Sequence, residues 1–474
     1  MFGARKIASG AFWRTLEVGG NELISFLFFI LMTRLLVPEQ FGIVALAGAL
    51  LQLGNAMLQQ GIPDALIQRD KLDETHLRSA FWAQFYFALA MVALLALLAW
   101  PIAWLLKRPE FPLILLAMAP ILLLQAISTP MHAMLRRNLA LRAITIRTIS
   151  GTAVAGLIAV VLAKNGAGVW ALIAQQWSVA LVSVLVLSFI SPIKPWPLRR
   201  DRAALAELVS VAKPIVVSQF VANAVRRLDI LALGLFLGDF EVGIYFLISR
   251  MVFSVQMVTQ HSIGEISLVV LSRLQSDPAQ HRAAVRQSLK VTALACLLCY
   301  GLLGILSDHL IPLVFGKVWH PAEQPLSLMC LFATAGSVVA VASQILVSGN
   351  AARTAAVATI ASALLQLMMI LLAARFGLNA LVLAIGIGQL LAVIPTLYFI
   401  SKRFDLTLVQ LLADLAPLLL AFGLAQAALW LLPSGPTWTP AIIAAFVFAT
   451  IMAASSAWVF RSHMQRLVRV LGTP

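Results

Sequence analysis

The chain has 474 residues, 61% of them hydrophobic and 11% charged, with a mean hydropathy of +0.96. Soluble domains carry about 25% charged residues, so this composition excludes a large aqueous domain and reads as a many-pass membrane protein. The formal net charge of +15 invites a nucleic-acid reading, but the basic residues are ordered along the chain as a topology signal, and no nucleic-acid partner is expected.

Hydrophobic runs between charge clusters and turn residues predict about fourteen transmembrane helices. In chain order they cover residues 13–36, 41–62, 80–104, 112–134, 148–164, 168–190, 213–237, 242–264, 288–307, 324–346, 354–374, 378–400, 406–432 and 438–460. The first follows Arg5 and Lys6 but is interrupted by Arg14, Glu17 and Glu22, which fits a retained helix rather than a removed leader. The last two occupy a stretch of 46 residues between Asp414 and Arg461 without one charged side chain, broken by Pro433 to Pro436. Each side of that break supplies roughly 20 apolar residues, enough to cross a bilayer. Residues 136–147 and 267–290 read as basic cytoplasmic connectors, lying on the headgroups or solvated.

With this partition, 24 Lys and Arg residues fall on the side of the N-terminus and six on the opposite side, while Arg14, Arg226, Arg227 and Arg250 fall inside spans. Basic residues stay cytoplasmic, so both termini are expected in the cytoplasm.

The chain echoes itself. Residues 33–45 (TRLLVPEQFGIVA) and 234–246 (GLFLGDFEVGIYF) both end one helix, turn at an acid, and enter the next helix through Gly-Ile. Gly42 and Gly243 are 201 residues apart. A second echo pairs Pro109–Pro112 with Pro321–Pro325. An offset of six helices preserves orientation, so the expectation is two parallel six-helix bundles plus two C-terminal helices, all-α, with lobes at 1–200 and 201–404 and an appendage at 405–474.

Several ordered segments carry a family resemblance: residues 9–13 (SGAFW), 41–43 (FGI), 61–69 (GIPDALIQR), 228–231 (LDIL), 237–238 (LG), 243–245 (GIY) and 311–319 (IPLVFGKVW). Together they resemble the multidrug/oligosaccharidyl-lipid/polysaccharide exporter superfamily, and within it Wzx-type polysaccharide flippases of the colanic-acid-exporter kind. The resemblance implies two six-helix bundles facing each other. It implies movement of polyprenyl-diphosphate-linked oligosaccharide from the cytoplasmic to the periplasmic leaflet of the bacterial inner membrane. Lipid-linked oligosaccharide and membrane lipids are the expected partners, with a polysaccharide polymerase and a chain-length regulator as candidate protein partners and no cofactor.

Moving a diphosphate and sugars through hydrocarbon requires a wet, polar, cationic passage. The first span offers Arg14, Glu17, Asn21 and Ser25 within roughly one quarter of an ideal helix circumference. The second offers Gln52, Asn55 and Gln59. The seventh offers Gln219, Asn223 and Arg226, with Asp229 near one edge. The eighth carries Tyr245, Ser249, Gln256 and Gln260 on one stripe, and Arg250, Ser254 and His261 on another. Spans 80–104, 406–432 and 438–460 are almost purely apolar and suit a lipid-facing rim. Arg14, Arg226, Arg227 and Arg250 are candidates for diphosphate attraction, because guanidinium stays charged and forks two donors onto phosphate oxygens. The bland alternative is self-neutralisation in the pairs Arg14–Glu17 and Arg226–Asp229. Glu17, Glu22, Asp229 and Asp414 are candidates for ion coupling.

There is no G-x-x-x-x-G-K-[ST] phosphate loop, and the acids are too scattered for paired acid–base work. Cys296 and Cys299 form a C-x-x-C inside an apolar run and read as small helical residues. The alternatives are a cation-coupled drug exporter, a peptidoglycan-precursor flippase of the same superfamily, and a membrane polymerase or ligase. The short loops on the periplasmic side argue against the last.

Overall fold

The computed structural model describes residues 10, 12–68, 74–191, 229–273, 277–348, 351–429 and 438–471. The described residues are helices joined by short turns, with no strand among them. Twelve helices are long and apolar enough to cross a membrane, and a shorter apolar helix covers Thr439–Ser455. Thirteen of the fourteen expected spans coincide with observed helices. The other, 213–237, lies mostly outside the described residues.

The chain divides into two compact units, Met1–Phe246 and Leu247–Pro474. The first unit contains α1 (Phe12–Thr33), α2 (Pro38–Gln59), α3 (Ile62–Gln68), α4 (Glu74–Leu106), α5 (Phe111–Met118), α6 (Ile121–Arg137), α7 (Leu141–Lys164) and α8 (Val169–Ile190). It also holds a helical turn after Asp229 and the opening of α9 (Asp239–Arg273). Local chemistry sets the boundaries. Pro38 opens α2, where a missing N–H costs nothing, and the Gln40 side chain accepts from Val37 N at 3.3 Å. Pro120, which has no N–H to donate, marks the break between α5 and α6.

Two expected connectors are shorter than the sequence pattern implied. α6 runs to Arg137 and α7 starts at Leu141, so only residues 138–140 turn between them. α9 runs to Arg273, and α10 (Pro278–Ile305) begins at an Asp277 cap that accepts from Ala279 N and Gln280 N at 3.0 and 3.1 Å. Helices continue into both charge clusters: Arg137 donates to the Leu66 carbonyl at 2.8 Å and Arg286 to Asp414, so the arginine heads find polar partners while the stems lie along the helix.

The second unit continues α9 and α10 with α11 (Glu323–Ser348), α12 (Ala352–Ala373), α13 (Leu378–Arg403), α14 (Leu408–Leu429) and α15 (Trp438–Leu471). Its core gathers Leu289, Ala293 and Leu297 of α10, Val341 and Ile345 of α11, Leu397 of α13, Leu418 of α14 and Phe448 of α15. The last two helices contribute Leu418 and Phe448 to this core. Phe448 lies over Gly301 and meets Phe422 edge-on with ring centres 5.8 Å apart. The 311–319 segment is a packing device: Ile311, Phe315 and Trp319 are all buried as the chain makes a π turn and a 3₁₀ turn into α11.

Candidate functional site

α1 is the polar helix of the first unit, and its first full turns are widened into a π-helical segment, Leu16–Gly20. Such segments recur at functional sites because they re-aim side chains that an ideal helix would stagger. Three contacts fix α1 on α7. Thr145 donates to the Trp13 carbonyl at 3.0 Å, Thr152 donates to Asn21 Oδ1 at 2.6 Å, and Phe28 packs against Gly156.

Between these contacts sits a charged cluster. Arg14 donates to Glu17 Oε2 at 2.8 Å, with the arginine side chain 54% exposed and the acid 12%. Arg147 of α7 is half-buried, and Glu17 acts on it electrostatically. Among the described residues its donors reach neutral hydroxyls, Ser183 Oγ of α8 at 3.4 Å and Thr148 Oγ1 at 3.2 Å. His132 of α6 feels Arg14, Arg136 and Arg147 together. Arg142 lies over the Trp13 ring, 5.7 Å from its centre. Four helices thus bring together one half-buried carboxylate, the half-buried Arg147 and the exposed Arg14, Arg136 and Arg142, an arrangement suited to attracting an anion.

The remaining expected site residues fall as follows. Gln52 is exposed and Asn55 half-buried on α2, and Gln59 donates to Asn55 Oδ1 at 3.3 Å. Asp229 accepts from Ile230 N at 2.7 Å and from Tyr245 Oη at 2.9 Å. Tyr245 is buried, so it works as a packing partner of Asp229 rather than as part of an open stripe. Glu22 is half-buried on α1. Arg250 and Gln256 are half-buried on the part of α9 that belongs to the second unit. Gln219, Asn223, Arg226 and Arg227 lie outside the described residues.

A second constellation lies in the same unit. Arg108, 8% exposed, donates to the carbonyls of Gly234 at 2.7 Å and Leu237 at 2.9 Å and pairs with Asp239. One guanidinium therefore caps the end of one helix and holds the acid that opens the next. Beside it Gly42 faces the Asp239 carbonyl and Gly243 faces the Pro38 carbonyl, so closely that a Cβ on either glycine would collide with backbone. Pro38 stands to Gly42 as Asp239 stands to Gly243, and the contact is the same from both sides, as local two-fold symmetry requires. Phe29, Phe41 and Phe246 close the crossing with ring centres 5.8–6.2 Å apart.

The profile of the polysaccharide biosynthesis protein family matches residues 31–324, more than half of the chain. The chain belongs to that family. Two relatives extend the likeness. This family member is 26% identical over 340 residues to the succinoglycan biosynthesis transport protein ExoT of Rhizobium meliloti (strain 1021), a match covering 69% of this chain and 66% of ExoT, just under two thirds of its length. It is 21% identical over 346 residues to the teichuronic acid biosynthesis protein TuaB of Bacillus subtilis (strain 168), covering 69% of this chain and 68% of TuaB. Among solved structures it shares its fold with the lipid II flippase MurJ in an inward closed conformation, at a TM-score of 0.76, 14% identity, and 95% and 99% coverage of the two chains. An inward-facing multidrug resistance MATE transporter of the MOP superfamily follows at a TM-score of 0.65 and 12% identity, covering 81% of this chain and 94% of that one. The fold expected from the resemblance is thus found, and the family is one of polysaccharide biosynthesis.

Sequence reasoning missed Arg147 and Arg108 in this family member. Arg147 was counted with the basic connector, and Arg108 with the loop residues opposite. The usable signals were Thr148 and Thr152 beside Arg147, which continue a polar face four residues at a time, and Asp239, a lone acid at a helix start. In the second unit Asp414, weighed as an ion-coupling acid, is held by Arg286 at 2.5 and 2.8 Å and by Lys290 at 2.8 Å. Two cations on one carboxylate tie α14 to α10, a structural role.

Proposed function

We propose that this chain is a flippase that moves polyprenyl-diphosphate-linked oligosaccharide repeat units across the inner membrane for exopolysaccharide, capsule or O-antigen synthesis, by alternating access. The observation that carries the reading is a cationic cluster with hydroxyl partners on the polar side of an otherwise apolar helical unit, in a polysaccharide biosynthesis family member. ExoT, whose name links it to transport in succinoglycan synthesis, and MurJ, a lipid II flippase, support it by sequence and by fold respectively. In this reading the protein is a transporter, not an enzyme, with both termini cytoplasmic, lobes at 1–200 and 201–404, and an appendage at 405–474. Arg14, Glu17, Asn21, Gln52, Asn55, Gln219, Asn223, Arg226, Asp229, Arg250 and Gln256 contact substrate, and Glu17, Glu22 and Asp229 are the acids available for ion coupling. A polymerase and a chain-length regulator consume the flipped product.

The test is deletion of the gene followed by leaflet-resolved analysis of lipid-linked oligosaccharide. Accumulation on the cytoplasmic leaflet supports flipping. Normal flipping with short surface polymer points to a polymerase and sinks the proposal.

A further inference from the structure

We infer that Gln176 of α8, together with Gln52 of α2, reads the sugar of the transported lipid through its hydroxyl groups. The inference rests on the flippase reading and adds to it a helix, α8, that the polar-stripe argument did not use.

The span that α8 forms is apolar in sequence, yet the helix has two open sides. Trp170, Leu181, Leu185 and Phe189 are exposed along one of them. Gln176, Val179 and Ser183, spaced i, i+3 and i+7, share a roughly opposite side, where Gln176 and Val179 are exposed. Ser183 on that side is the hydroxyl that Arg147 meets at 3.4 Å, and Gly151 of α7 lies against the Val179 carbonyl. Trp177 Nε1 donates to the Ala117 carbonyl at 2.8 Å and fixes how α8 is turned about its own axis. The side with Trp170 and Phe189 suits acyl chains. The side with Gln176 looks onto the same space as the charged cluster.

An amide in the middle of an apolar span is expensive against hydrocarbon, because its donors and acceptor need partners. Among the described residues Gln176 has no hydrogen-bond partner, and neither has Gln52, which is exposed on α2. Both therefore call for water or a ligand. Their heights can be compared, because Gln40 near the start of α2 lies against Gly168 at the start of α8. At a rise of 1.5 Å per residue, Gln176 stands about 12 Å, Gln52 about 18 Å and Ser183 about 22 Å from that common level. The neutral amides thus begin where the cations end. A lipid-linked glycan whose charged end lies level with Ser183 lays its sugars along Gln52 and Gln176.

A side-chain amide sets donors beside an acceptor. Neighbouring hydroxyls of a sugar ring offer the complementary pair, and an amide costs less to desolvate than a charge. The substrate feature that follows is a neutral, hydroxyl-bearing sugar near the diphosphate.

The experiment uses the full-length protein in phosphatidylcholine nanodiscs and two probes, a polyprenyl diphosphate and the same lipid carrying a neutral hexose disaccharide. Wild type is expected to bind the glycosylated probe about tenfold more tightly, the scale of one or two added hydrogen bonds. Gln176→Leu is expected to lose most of that preference while holding the bare lipid as before, and Gln52→Leu to lose part of it. The ratio of the two affinities is the readout, because damage at the charged cluster weakens both probes together. An unchanged ratio, or equal weakening of both probes, in Gln176→Leu protein that unfolds at the wild-type temperature overturns the sugar subsite. Gln176→Met, closer in shape to glutamine, decides in its place if the leucine variant folds poorly. A wild type that binds both probes alike also overturns the subsite, and leaves the flippase reading standing on the shared diphosphate. A wild type that binds neither probe counts against the flippase reading, and the subsite falls with it.

Discussion

Arg108 and Arg147 are two arginines of one unit in opposite situations. Arg108 is almost sealed from solvent and every contact it makes is a strong acceptor of the chain itself, at a helix crossing where glycines let backbones touch. Arg147 is half-buried and meets the hydroxyls of Ser183 and Thr148 at 3.4 and 3.2 Å. The same side chain serves architecture in one place and is left with binding capacity in the other. What separates them is the supply of acceptors, not burial alone.

That contrast predicts different consequences of mutation. The largest loss of stability is expected from Arg108→Ala, which leaves the Asp239 carboxylate and two carbonyls without their partner. A cost of about 3–5 kcal/mol should appear as a lowered midpoint in thermal unfolding of the purified protein, partly recovered when Asp239→Asn is added. Gly243→Ala or Gly42→Ala should cost about 1–3 kcal/mol by overpacking the crossing, seen in the same assay. An unaltered midpoint in either would mean that the two-fold contact tolerates separation. Asp414→Asn should cost about 1 kcal/mol, since the Arg286 side of its ion pair is partly exposed, with no change in probe affinity. Arg147→Gln should move the midpoint least, under about 1 kcal/mol, while slowing transport. A variant order with Arg147→Gln the most destabilised would erase the distinction.

Much of the architecture was legible because bilayer physics writes itself into long apolar runs. The 201-residue echo also carried real geometry: Gly42 and Gly243, matched by sequence, meet across the crossing. Less legible was what happens where charge clusters end those runs. Arg137 and Arg147 looked like the edges of a loop, yet α6 and α7 run to within three residues of each other, and Arg147 lies inside a helix. A hydropathy boundary stops at a charge, whereas a helix continues if the charge finds company. The π turn at Leu16–Gly20 was hidden for another reason. The polar face of α1 was drawn at 100° per residue, and a widened turn breaks that arithmetic between Glu17 and Asn21. The pairing of Arg14 with Glu17 followed from spacing alone. The contact of Arg147 with Ser183 requires two helices, so no single-segment pattern contains it.

The most direct measurement is the rate at which a polyprenyl-diphosphate-linked sugar reaches the opposite leaflet of proteoliposomes holding equal amounts of folded wild-type and Arg147→Gln protein. The account predicts that the variant transports well below the wild-type rate while unfolding at nearly the wild-type temperature. Transport at the wild-type rate by equally folded Arg147→Gln protein would contradict it.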